Sequence, residues 1–250
     1  MRIFTFILFL ALCVAPEARA DSKTEDDLFI EGASNKWREV KDYTCILIKQ
    51  ERYKGKLGAQ ETMFMKFRKE PYSVYMKWIE PPHKGAELIF NKGRNDNKII
   101  YHTGGILNVI NLRFDPYGWM AMKGSRHSID KVGLGNMIGK IVEAAGRARK
   151  NKEGELIDLG DQTIEGIRVH CHKVILPPPK VAAEPTEASS NKYFAVMSVV
   201  GWDSKTRFPV VIINYTGDQE ILEKYIHKDL KLNPGLTDMD FDPHNKEYGF

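Results

Sequence analysis

The groupings that most enzyme chemistry requires are missing from this sequence. It contains no H-E-x-x-H, no C-x-x-C and no G-x-S-x-G, which removes the usual zinc-hydrolase, dithiol and serine-hydrolase readings. Gly133, Gly135 and Gly139 follow no strand and lead to no Lys-Ser/Thr pair, so they do not form a phosphate loop. Charge of one sign is not in excess either. The net charge is +4 over 250 residues, far from a nucleic-acid footprint, although a mild positive balance suits contact with an anionic membrane surface. Past residue 20 there is no long apolar run. The longest, such as residues 196–202 with Ser198 inside it, are the size of strands, so no membrane-spanning helix is expected.

The first residues carry an export pattern. Arg2 supplies a positive start, residues 3–14 are apolar apart from Thr5, and Ala18-Arg19-Ala20 provides the small-x-small site of signal peptidase. The apolar run falls short of the roughly 20 residues of a spanning helix. Cys13 lies inside that run behind the bulky Leu12, which argues against lipidation. The expectation is a cleaved signal peptide over residues 1–20 and a periplasmic or secreted protein starting at Asp21. Removing 20 of 250 residues leaves 230, and the loss of Arg2, Glu17 and Arg19 lowers the net charge from +4 to +3. A chain of this size is expected to form one domain, residues 21–250.

Cysteine is scarce, with three in all. The mature chain would keep Cys45 and Cys171, and an even count in an oxidising compartment predicts a disulfide between them. The alternative is a pair of buried free thiols.

Periodicity divides the chain into a little helix and much strand. Residues 24–42 read as a helix, with Thr24 as N-cap and Leu28, Phe29, Ala33, Trp37 and Val40 on one face. From Tyr43 the period becomes two, and Cys45, Leu47 and Lys49 share a face. Strands follow at 62–68, 72–78, 86–90, 98–102 and 107–112, then at 155–158, 168–176, 193–202, 208–215 and 223–232. Between the two runs, residues 134–149 form a helix with Met137, Ile138, Ile141, Val142 and Ala145 as its stripe. Arg147, Arg149, Lys150 and Lys152 mark its C-terminal end. Residues 177–191 read as a surface loop, and 233–250 as a turn-rich tail. The predicted fold is mainly β (α+β). A long curled antiparallel sheet forms an unclosed β-barrel, with the N-terminal and central helices on its concave face.

Several motifs resemble the DUF1571 family of exported proteins: Asp42-Tyr43-Thr44-Cys45, Met76-Lys77-Trp78, Pro82-x-Lys84-Gly85-x-Glu87, Asn95-Asp96-Asn97-Lys98, and Leu232 to Asp238 with Asp240-Phe241-Asp242. More loosely, Trp202-Asp203-x-x-Thr206-x-x-Pro209 and Gly217 are similar to the LolA/LolB-like lipoprotein carriers. That second resemblance implies an unclosed barrel with helices as a lid over a cavity for acyl chains. It implies no catalytic residues.

Other chemistry is thin. His170 and His172 lie two apart on a strand and share a face, so they make a candidate metal pair, with His102 or His83 as distant third ligands. Asp238, Asp240 and Asp242 lack the Gly and Glu of a calcium loop. Ser125 and His127 are adjacent in sequence, which is not a triad. The reading is therefore a non-enzymatic lipid- or lipoprotein-binding carrier, without cofactor, metal or nucleic-acid partner. Met65, Met76, Trp78, Ile138 and Ile141 are the candidate lining of an apolar pocket with few polar groups, and the glycines at the start of the central helix would let that helix move as a lid. The alternatives are an exported metal-dependent hydrolase centred on His170 and His172, and an envelope scaffold without a small ligand.

Overall fold

The structure is a computed structural model that describes residues 25–104, 110–177 and 193–250. Residues 1–20, the Thr24 cap, residues 107–109 of the strand expected at 107–112, and most of the 177–191 loop lie outside the described residues.

Alternation of apolar and polar side chains builds a single large sheet. After helix α1 (Glu25–Glu39) come β1 (Asp42–Tyr53), β2 (Lys56–Leu57), β3 (Glu61–Arg68), β4 (Ser73–Trp78), β5 (Glu87–Asn91), β6 (Ile99–His102) and β7 (Asn111–Phe114). Helices α2 (Trp119–Met122) and α3 (Leu134–Asn151) follow, then β8 (Glu155–Ile164), β9 (Ile167–Ile175), β10 (Met197–Asp203), β11 (Pro209–Tyr215) and β12 (Ile221–Leu232). The sheet has 12 strands in the order β7-β6-β5-β4-β3-β1-β12-β11-β10-β9-β8, with β2 paired to β1 outside that path. Two antiparallel meanders are thus joined by one long ladder, β1 against β12, from Tyr43↔Leu232 to Glu51↔Glu223. The sheet is not closed: β7 and β8 are its two ends. β8 carries Asp158 and Asp161 and is bulged between Asp158 and Gly160, which discourages pairing with another chain.

The N-terminal helix stops earlier than periodicity predicts, at Glu39. The backbone beyond it is taken into the sheet. Lys41 N–H donates to Asn233 Oδ1 at 2.7 Å, and Lys69 N–H donates to the Lys41 carbonyl. Both main helices lie on the concave face. Trp37 of α1 packs on Tyr43, Phe67 and Phe208, and Phe29 on Trp202. The first turn of α3 is seated on the sheet, where Leu134 N–H donates to Tyr43 Oη at 3.1 Å. A Cβ at Gly135 would lie 2.4 Å from the Trp37 ring. Gly133, with φ +106, would meet Phe67 and the Tyr43 hydroxyl at 2.9 Å. These two glycines therefore permit close packing and anchor the start of α3, contrary to the expectation that they loosen it.

The convex face of β3–β5 is covered by the C-terminal tail. Phe241 is buried with Tyr75 and Ile89, and Tyr248 stacks on Tyr75 at 4.1 Å. The tail's acids serve this docking: Asp238 pairs with Arg68 and Arg94, and Asp240 pairs with Lys66.

The disulfide expectation is overturned. Cys45 and Cys171 are both buried and free. The cross-strand row holding Cys171 runs through Gly201, Val211 and Ile226 to Ile48. Ile48 and Cys45 are three apart on β1, so the two thiols face opposite sides of the sheet. They are also four strand spacings apart, about 19 Å along the sheet, against a Cα limit of about 7 Å.

Candidate functional site

Between the concave face and the helices lies a cavity of about 1110 Å³. That is just above the range of small-ligand pockets, about 300–1,000 Å³. Because inward residues recur every second position, the sheet lines the cavity in cross-strand rows, and these rows form a gradient. One starts in the core at Cys45 and Met65 and reaches the cavity with Met76, Leu88, Tyr101 and Leu112. The next runs His227, Leu47, Met63 and Trp78. A mixed row follows with His172, Val200, Ile212, Tyr225, Lys49 and Glu61. The last carries the polar run Ser198, Asn214, Glu223 and Glu51 and ends in Val174 and Leu156 on the outer strands. Met137 and Ile141 of α3 face these rows across the cavity.

The polar end is a connected network. Glu223 accepts from Asn214 Nδ2 at 2.8 Å and lies 2.9 Å from His127 Nε2, and Arg126 Nε approaches it to 3.6 Å. Glu51 pairs with Lys49 at 3.3 Å and accepts from Tyr225 Oη and from Arg126 N–H. Burial pushes the Glu51 carboxyl up, but Lys49, the Tyr225 hydroxyl, His127 and the Arg126 N–H together hold it below the ordinary glutamate value. Burial likewise lowers Lys49, yet Glu51, Glu61 and Glu223 outweigh it and hold the ammonium above its ordinary value. Buried charges survive here because each is paired and hydrogen-bonded. Trp78 Nε1–H donates to Glu61 at 2.8 Å, so this indole presents an apolar body with its polar edge satisfied.

Of the candidate lining residues, Met76, Trp78 and Ile141 border the cavity. Met65 and Ile138 are packed in the core and do not border it. The expectation of few polar groups is corrected by the network above. Its signal was present in the sequence, since Lys49 and Glu51 continue the parity of Cys45 and Leu47. Glu223 and Tyr225 continue that of His227 in the same way.

The other singled-out residues separate. Ser125 Oγ donates to the main-chain carbonyl of His127, not to its ring, so no Ser–His arrangement exists. His102 bonds Asn111 and His83 lies against Trp78, so neither joins His170 and His172. That pair has a different acidic neighbour. Asp158, His170 and His172 each place a ligand atom within 4.8 Å of the others.

Residues 40–250 match the family described as "Protein of unknown function (DUF1571)". The chain belongs to the DUF1571 family. No curated protein matches the sequence. Among solved structures the chain is similar to the Mycobacterium tuberculosis lipoprotein LppX, with 12% identity, 88% of this chain and 100% of that chain covered, and a TM-score of 0.50. It also resembles a putative outer membrane lipoprotein-sorting protein domain from Vibrio parahaemolyticus, with 12% identity, 85% and 95% coverage and a TM-score of 0.38. A third is a LolA superfamily protein from Nitrosomonas europaea, with 9% identity, 86% and 96% coverage and a TM-score of 0.31. At 12% identity what this DUF1571 chain shares with LppX is the fold alone. No helix among the described residues is long and apolar enough to cross a membrane.

Proposed function

We propose that this DUF1571 protein is a non-enzymatic, periplasmic carrier of an acyl-bearing lipid or of the acylated end of a lipoprotein. The observation that carries the reading is the gradient inside the cavity. Two rows of Met, Leu and aromatic side chains lead to a buried charged row, the arrangement an amphiphile needs. Acyl chains would lie along Met76, Trp78 and Ile141, each buried methylene contributing about 0.8 kcal/mol. The polar head would meet Lys49, Glu51, His127 and Glu223. Export rests on the signal pattern of residues 1–20, and residues 21–250 are read as one functional domain.

Contact with a membrane is supported at the cavity mouth. Trp119, 74% exposed, and Met120 border the cavity, and Lys123 lies beside them. An exposed indole next to a cation suits the anionic bilayer interface.

The test is transfer of a fluorescent fatty acid from anionic vesicles. Ile141→Glu forfeits at least two methylene contacts and should weaken uptake about tenfold or more, with the circular dichroism of the sheet unchanged. Trp119→Ala should slow transfer and leave the final amount bound unchanged. Undiminished uptake by Ile141→Glu would refute the cavity as the binding site.

A further inference from the structure

We propose that Asp158, His170 and His172 form a binding site for a divalent transition metal at the open β8 edge of the sheet, with Asp161 positioning His170. The ladder brings them together. Asp158 is the cross-strand partner of His172, and Asp161 that of His170. Three donors within 4.8 Å of one another lie close to what one ion needs at bond lengths of about 2.0–2.2 Å. Two imidazoles and a carboxylate are a set suited to zinc or iron(II).

The hydrogen bonding at His170 is the independent observation. Its Nδ1 lies 3.2 Å from Asp161 Oδ1, the carboxylate–histidine contact that fixes the tautomer of a metal ligand. A proton on Nδ1 leaves a lone pair on Nε2. That Nε2 is buried without a hydrogen-bond partner, although Asp158 Oδ1 is only 3.1 Å away. A proton on Nε2 would be out of line for Asp158. A lone pair and a carboxylate oxygen facing each other at this distance repel, and a cation bound by both removes the repulsion. Phe29 stacks on His170 at 5.6 Å and meets His172 edge-on at 5.3 Å, covering the rings from one side. Asp158, with its side chain 59% exposed, leaves a solvent approach for a further ligand.

A second group, Glu51, His127 and Glu223, is similarly close. Its carboxylate oxygens are already engaged by Lys49, Tyr225, Asn214 and Arg126, so an ion there would have to displace those partners. Among the described residues no lysine or arginine is paired with the β8–β9 donors apart from Arg168 on Asp161, and Asp158 Oδ1 accepts only the Gly160 N–H at 2.6 Å, which leaves it a lone pair for an ion.

The test uses untagged full-length protein stripped with a chelator and titrated with Co²⁺. The expected result is a visible absorption band that saturates at one equivalent and is displaced by Zn²⁺. His170→Ala and Asp158→Asn should abolish it without unfolding the protein. Asp161→Asn should keep the stoichiometry and weaken affinity about 10- to 100-fold. Glu223→Gln should leave the band intact. A titration without a saturable band would overturn the site, as would a band that survives His170→Ala or one that is lost in Glu223→Gln. An Asp161→Asn variant that binds like wild type would overturn the positioning role.

Discussion

Glu223→Ala is expected to cost about 3–5 kcal/mol of folding stability, the range for removing one partner of a buried charge network. Glu223 is 4% exposed, accepts from Asn214 and His127, and lies 3.6 Å from the Arg126 guanidinium as its ion-pair partner. Its loss leaves the Asn214 amide without its acceptor and the buried Arg126 charge without the Glu223 carboxylate beside it, at the polar end of the cavity. Glu223→Gln keeps a carbonyl oxygen for Asn214 and His127 and should lose less. Urea unfolding at pH 7 measures both. A loss under about 1 kcal/mol for Glu223→Ala would mean that water reaches the network and screens it, and that the polar end is an open surface.

The second large effect is a pH dependence carried by His227. This ring is the cross-strand partner of Leu47, meets the Tyr43 ring edge-on, is 4% exposed, and neither nitrogen has a hydrogen-bond partner among the described residues. Burial pushes its pKa down from 6.5 to about 4. The sign follows from proton counts. Above pH 6.5 the ring is neutral in both states and contributes no slope. Between 6.5 and 4 the unfolded chain takes up a proton that the folded chain refuses, so stability falls as pH falls. Full passage through that window costs about 3 kcal/mol. His227→Phe should flatten the profile between pH 6.5 and 4.5. The same slope in wild type and variant would show that the ring is solvated or protonated in the fold. An unpartnered ring beside the apolar rows is also where a ligand hydroxyl or carboxyl would find a hydrogen bond.

Much of the fold was legible because the sheet is built by strict alternation. Cys45, Leu47 and Lys49 reveal the inward face of β1, and Met63, Met65 and Phe67 that of β3. The central helix is legible from its stripe, Met137 to Ala145. What one strand cannot reveal is its neighbour. Cys45 and Cys171 both look like mid-strand cysteines suited to pairing, and only the row from Cys171 to Ile48 shows that they face away from each other. The same limit hid the polar end of the cavity. Glu51 and Glu223 are 172 positions apart in sequence, and each alone reads as a solvated strand residue. Their ladder pairing places them side by side, facing inward. The His170/His172 pair was visible through its i, i+2 spacing, while its partners Asp158 and Asp161 depended on the register of β8, which contains a bulge. Gly133 and Gly135 were misread for a related reason. Glycine permits both flexibility and close approach, and the aromatic rings of Trp37, Tyr43 and Phe67 decide for close approach.

The carrier reading stands or falls on what the cavity holds. The most direct measurement is mass spectrometry of an organic extract from protein purified without detergent from its own envelope. The expected result is an acyl-bearing molecule at about one equivalent, displaceable by a fatty-acid probe and absent from an Ile141→Glu preparation. An extract without acyl species, from a protein that after delipidation also takes up no probe, would contradict it.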